Sequence, residues 1–275
     1  MPPAPLASRL ARLLKLGPGE APAVFAGMAM FFLLFTGYAL LRPVRDTMGI
    51  AGGVDNLQWL FTATFVVMLV AIPMFGWVAA RAARRRIQLW TYSFFALNLA
   101  GFAALFVMDP DNVWAGRTFY VWLSVFNLIS ISVAWSVLAD LFSMAQAKRV
   151  FALMAAGMSA GGLAGPSLSV ALVEPLGFAG LMLLSAGFLM GSAGFAFHLQ
   201  RWRDRQPLRP GEDPARRSPL GGNPFAGIGT VLRSPFLLGI ASFVVLLASV
   251  TTFLYFEQAR LIELNFPDRV DQTRV

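Results

Sequence analysis

Cysteine is absent from the sequence, histidine occurs once, and charged side chains make up only 13% of it. Without cysteine there is no disulfide and no thiolate chemistry. The lone His198 has no ligand cluster around it, so no metal site is expected. No P-loop and no nucleophile–base pair stands elsewhere, so neither a cofactor nor enzymatic bond chemistry is expected. The shortage of charge excludes a soluble domain. A chain of 275 residues that is 57% hydrophobic, with a mean hydropathy of +0.65, needs lipid as its solvent. Acidic residues are scarcer than basic ones, 14 against 22, which leaves a net charge of +8. Such an excess suits nucleic acid, but its distribution argues for a bilayer instead.

What is present is a series of continuous apolar runs. A helix needs about 20 such residues to cross roughly 30 Å of hydrocarbon. Seven runs qualify: 22–41, 57–79, 87–108, 115–139, 151–173, 179–198 and 236–256. They do not alternate, so they are helices and not barrel strands. Basic residues gather in every second connection: Arg9, Arg12 and Lys15, then Arg81 to Arg86, then Lys148 and Arg149, then Arg201 to Arg233. This pattern places the N-terminus in the cytoplasm and the C-terminal tail outside. The expected fold is an all-α integral membrane bundle.

Four regions are expected along the chain. Residues 1–19 form a cytoplasmic interfacial segment, in which "LASRLARLLKL" sets leucines on one face and stops at Gly17-Pro18-Gly19. Residues 20–198 hold six spans joined by short loops. Residues 199–235 form a long, polar cytoplasmic connection, ending in "FAGIGTVLRS", a short surface helix. Residues 236–275 hold a seventh span and an outer tail. Six helices, a long basic loop and one more helix resemble the N-terminal half of a major facilitator transporter plus the first helix of its second half. A missing C-terminal half, or a second copy of the chain, is then expected to complete it.

Span one ends in charge, at "LLRPVRDTMGIAGG". Phe31, Phe35, Tyr38, Arg42 and Arg45 fall within an arc of about 80° on a helical wheel. Pro43 is expected to kink or end the helix near Leu41. Asp46, four residues after Arg42, is placed to pair with it. Guanidiniums and rings together suit an anionic solute; a packed aromatic face with snorkelling arginines is the other reading. In span four, Arg117, Tyr120, Ser124 and Asn127 form a second polar stripe, which suits a shared cavity or plain interhelical hydrogen bonding. At the outer end of span seven, Glu257 and Arg260 are expected to face Arg45 and Asp46 across a mouth.

"GWVAARAARRR" is similar to the loop signature of the major facilitator superfamily, with Gly76, Arg81, Arg84 and Arg85 in place. Ala80 stands where an aspartate is usual, and Ala83 where a glycine is usual. Asp140 at the cytoplasmic end of span four is expected to pair with Arg81 or Arg84 as a conformational gate. Gly157, Gly161 and Gly165 form a small-residue ladder for close helix packing.

"LLRPVRDTMGIAGG", "FNLISISVAWSVLADLFSMAQAKRVFALMAAG" and "SPFLLGIASFVVLLASVTTFLYFEQA" resemble the bacterial ATP/ADP translocase family, in its free-living bacterial branch. The resemblance implies a nucleotide antiporter of the bacterial inner membrane, with the lipid bilayer and a small anionic solute as partners. Arg45-Asp46 stands at that family's Lys-Asp pair, Leu123 at a functional glutamate, and Glu257 at a glutamate of span seven. A further lysine of that family lies beyond this chain. Tyr38, Arg42, Arg45, Asp46, Arg117, Tyr120, Asn127 and Glu257 are the expected substrate residues. A facilitator for a drug or carboxylate, and a membrane scaffold that does not transport, are the rival readings.

Overall fold

The computed structural model describes residues 20–51, 53, 56–81, 84–142, 144–206, 226–265 and 272–273. The expected interfacial segment 1–19 and most of the connection 199–235 lie outside them, as do the side chains of Arg84, Arg85 and Asp140. The described residues fold as helices: α1 Ala21–Ala51, α2 Leu57–Arg81, α3 Arg84–Met108, α4 Val113–Leu141, α5 Met144–Asp204, α6 Ala226–Arg233 and α7 Pro235–Asn265. The short α6 falls where the surface helix is expected. Six of the helices are long and apolar enough to cross a membrane.

The 61-residue α5 is too long for one crossing. At about 1.5 Å per residue it would measure roughly 90 Å, some three times the hydrocarbon thickness. It is broken at Gly177, where φ is 63° and ψ is −177°, a conformation that only glycine adopts readily. Pro175 removes a backbone donor just before the break. The two arms, 144–176 and 178–204, take the places of the expected spans five and six. The described residues thus hold seven helical segments of membrane-crossing length.

α1 is the central helix. Its first flank is the leading arm of α5, which runs parallel to it. Gly157 meets the backbone of Met28, Gly161 that of Phe32 and Gly165 that of Ala39 and Leu40. A Cβ at Gly157 would stand 2.5 Å from the Met28 carbonyl oxygen, so the ladder lets two backbones touch. The second arm runs antiparallel. Ser185 donates to the Gly37 carbonyl at 2.8 Å and Ser192 to the Met30 carbonyl at 2.9 Å. These bonds satisfy hydroxyls that lipid cannot.

α4 begins at an Asn112 cap, whose Oδ1 accepts from the Ala115 amide at 2.9 Å. It packs on α3 through interlocked rings: Phe95–Phe126 at 5.1 Å, Phe102–Phe119 at 5.3 Å and Phe102–Trp122 at 5.3 Å. α2 leans mainly on α4 and presents apolar side chains such as Trp59, Phe65 and Val70 outward, as a lipid-facing helix does. These contacts put the ends of α1, α3 and α7, the starts of α2 and α4, and Gly177 at one end of the bundle, the distal end. Arg81, Arg201, Arg203 and Arg233 belong to helix ends at the opposite, proximal end.

Of the two outcomes expected at Pro43, a kink or an end, the end does not occur. The helix passes through Pro43 and runs on to Ala51. Proline frees the carbonyl four residues earlier, here Ala39, and the close neighbours of α1 hold the helix through that gap.

Candidate functional site

The extra turns of α1 carry Arg45 and Asp46 into a seam with α4 and α7. Arg45 donates from Nε at 2.9 Å and from Nη2 at 2.7 Å to one oxygen, Oδ1 of Asp46. The Tyr255 hydroxyl on α7 donates to the same oxygen at 2.9 Å. The Tyr120 hydroxyl on α4 donates to that of Tyr255 at 3.3 Å. The ring of Tyr120 lies under the Arg45 guanidinium, 4.8 Å from its centroid. A closed circuit of two charges and two phenols therefore ties three helices together.

The surroundings keep this circuit largely out of water. Phe61 of α2 covers it, with ring centroids 5.4 Å from Tyr255 and 5.0 Å from Phe256. Ile50, Leu57, Leu60, Tyr120 and Ala259 are buried around it. Gly49 admits the Tyr120 ring, because a Cβ there would stand 2.9 Å from Cε2. The Arg45 side chain is 14% exposed and that of Asp46 28%. With partial burial and charge-assisted bonds, such a pair is stronger than a surface ion pair.

Beside the circuit lies a cavity of about 580 Å³ between α1, the leading arm of α5 and α7. Phe35, Tyr38, Arg42 and Asp46 line it from α1. Met158 and Ser159 line it from α5, and Gln258 from α7; Gln272 closes one side. Arg42 is exposed toward this space. Thr47 exchanges a 2.7 Å hydrogen bond with Thr273, which brings residues 272–273 back against α1.

The expected site residues therefore divide. Tyr38, Arg42 and Asp46 share the cavity, and Arg45, Asp46 and Tyr120 share the circuit. Asp46 pairs with Arg45 and not with Arg42, because Tyr120 and Tyr255 fix both partners on the seam side. The expected aromatic arc straddles two environments: Phe31 is fully buried against Trp135 at 4.9 Å, while Phe35 faces the cavity.

Glu257 does not face Arg45. Its side chain is 69% exposed and lies 3.9 Å from Arg260 on its own helix. Two residues of helix turn through about 200°, so if Tyr255 points inward Glu257 points out. Arg117 also stands apart, stacked at 5.2 Å on Trp114 and lining a groove between α2, α3 and α4. Ser124 turns back to the Tyr120 carbonyl at 3.4 Å. Asn127 is partly buried, and among the described residues none donates to its Oδ1.

Gly76 lies inside α2, and Arg81 folds back on that helix, 3.9 Å from the Trp77 ring centroid. Its expected pairing with Asp140 lies outside the described side chains.

Tyr255 is the member of the candidate site that the sequence reading missed. A signal existed: the chain has only four tyrosines, and three of them, Tyr38, Tyr120 and Tyr255, converge here. Among the described residues no three acidic or histidine side chains converge as a metal site would require.

No curated protein and no solved structure matches the chain. The family model described as Major Facilitator Superfamily matches residues 19–267, which takes in every helix from α1 to α7. A multi-pass chain matched over that length belongs to the major facilitator superfamily, whose members are membrane transporters.

Proposed function

We propose that this transporter carries a small organic anion, of which a nucleotide is the leading candidate, through the cavity between α1, α5 and α7. The observation that carries the reading is the position of Arg42. Its guanidinium opens on a cavity of about 580 Å³, with Tyr38 and Phe35 beside it as a surface for a ring. A guanidinium fork suits phosphate or carboxylate, and ring faces suit a base. The volume falls in the usual range for small-molecule sites. The Arg45–Asp46–Tyr120–Tyr255 circuit acts beside it as the closure of one end of the pathway. The resemblance to the ATP/ADP translocases supports exchange of ATP for ADP across a bacterial inner membrane, with the proximal end in the cytoplasm.

A monocarboxylate is the second reading. Arg45 is engaged with Asp46, so Arg42 is the one cation lining the cavity among the described residues. A polyphosphate would call for more positive charge.

The test is uptake into proteoliposomes holding the full chain as it occurs in its native membrane. Labelled ADP, with internal ATP, is compared with a labelled monocarboxylate. Saturable ADP exchange that is lost in Arg42→Ala supports the nucleotide reading. Carboxylate uptake alone transfers the site to the second reading. Uptake of neither solute, with Arg42→Ala behaving as the unaltered protein, removes the anion proposal.

A further inference from the structure

The cavity beside Arg42 has a second polar feature, and it is made of backbone. Two prolines stand on its walls, Pro43 of α1 and Pro166 of the leading arm of α5, and both lie inside their helices. A proline has no N–H, so the carbonyl four residues before it loses its helical donor. The carbonyls concerned are those of Ala39 and Gly162. Both residues line the same cavity, on the same helix faces as their prolines. The two helices run in register here: Gly161 meets Phe35 and Thr36, and Gly165 meets Ala39 and Leu40. Gly162 and Ala39 therefore stand within about one turn of each other along the bundle, roughly 5 Å. A Cβ at Gly162 would meet nothing within 4 Å, so its backbone faces open space. Among the described residues, side-chain hydroxyls bond the nearby carbonyls of Phe32, Gly37 and Leu163, and none bonds that of Ala39 or Gly162.

We propose that these two freed carbonyls receive an amino group carried by the anionic solute. The inference rests on the reading of this cavity as an anion site and adds a second point of recognition to it. A carbonyl oxygen only accepts, so it favours N–H over C–H or another oxygen at that point. An amine offers two or three donors, enough for both carbonyls. Arg42 follows Ala39 by one turn and only donates. The wall thus sets opposite demands side by side: an acceptor-rich group at Arg42 and a donor-rich group at the carbonyls. A site built to bond an N–H rejects the analogue that lacks it, because its own polar groups are then left unpaired. Two chemistries supply such an amine on an anion: the exocyclic amine of a nucleobase, and the ammonium of an amino acid.

The test measures saturable uptake of four labelled solutes into proteoliposomes holding the full chain. They form two pairs that differ only by the amine. ADP is set against the diphosphate of purine riboside, which lacks the 6-amino group, and alanine against propionate. In one pair the amino member should half-saturate at about one-tenth the concentration of its analogue, the scale of one hydrogen bond to an otherwise unpaired acceptor. Preference in the nucleotide pair assigns the carbonyls to a base amine, and preference in the other pair to an ammonium. Pro43→Ala and Pro166→Ala each return an N–H to the helix and engage one carbonyl, so each should bring the ratio toward one. Prolines that merely shape the helices would move both members of a pair alike. A ratio that survives both alanine variants therefore overturns the inference. Equal half-saturation in both pairs of the unaltered protein overturns it too and leaves the anion reading standing. Uptake of none of the four removes that reading and this inference together. If one alanine variant does not fold, the other decides.

Discussion

Tyr255 holds the Asp46 carboxylate through a single hydroxyl, and the other partners of that carboxylate decide what its loss does. In Tyr255→Phe the ring keeps its place against Phe61 while the 2.9 Å hydrogen bond goes. Asp46 retains both donors from Arg45, so no charge is left bare. The expected loss is about 1–2 kcal/mol in the hold of α7 on the bundle. Faster amide exchange in residues 250–262, with exchange in α1 unchanged, would show it. Combined with Asp46→Asn, the loss should be smaller than the sum of the two single losses, because Asp46→Asn takes away the charge that strengthens the bond Tyr255→Phe removes.

Arg45→Lys tests the other side of the circuit. An ammonium cannot supply two N–H bonds in a plane and also lie flat over the Tyr120 ring. Transport should therefore fall well below that of the unaltered protein even though the charge is kept. Full activity in the lysine protein would reduce the site to its charge. Arg42, Arg45 and Asp46 were legible in the sequence because charge beside a span is rare. Their division between cavity and seam was not, because it depends on which ring from another helix arrives beside them. Glu257 was favoured over Tyr255 for the same reason: charge draws attention, while a tyrosine in an apolar run reads as packing.

At the scale of the element, the glycines of α5 separate contact from propensity. Gly161 faces the backbone of α1, and Gly162, its neighbour, has nothing within 4 Å of a would-be Cβ. Gly161→Ala should destabilise the bundle by about 1–3 kcal/mol, since backbone on both sides cannot give way cheaply. Gly162→Ala should be neutral or stabilise it by up to about 1 kcal/mol through helix propensity. Melting of the two variants in the same detergent checks the pair, and equal losses would mean that the ladder is not a contact surface. Gly177→Ala should cost about 1–3 kcal/mol for a different reason, the backbone conformation of the break. The helices themselves were readable from the lengths of their apolar runs. Continuation through Pro43 was not, because a proline in water ends a helix that packed neighbours in a bilayer sustain.

For the whole molecule, the decisive relation is direction. The leading arm of α5 runs with α1 and the second arm against it, and Tyr255 reaches Asp46 only if α7 rises as α1 does. The α3–α4 turn and the end of α5 therefore belong to opposite faces of the membrane. We propose from the basic residues at the proximal end that this face is the cytoplasmic one, as the positive-inside rule expects. The chain offers a clean test because it has no cysteine to give a background. Asp111→Cys should react with an impermeant maleimide in intact cells, and Arg205→Cys only after the membrane is opened. The reverse pattern would invert the protein, and closure by the tyrosine circuit would then act on the cytoplasmic side. Labelling of both positions in intact cells would contradict the seven crossings themselves. The break at Gly177 sets this parity, since without it α5 would cross once and α7 would run the other way, carrying Tyr255 away from Asp46.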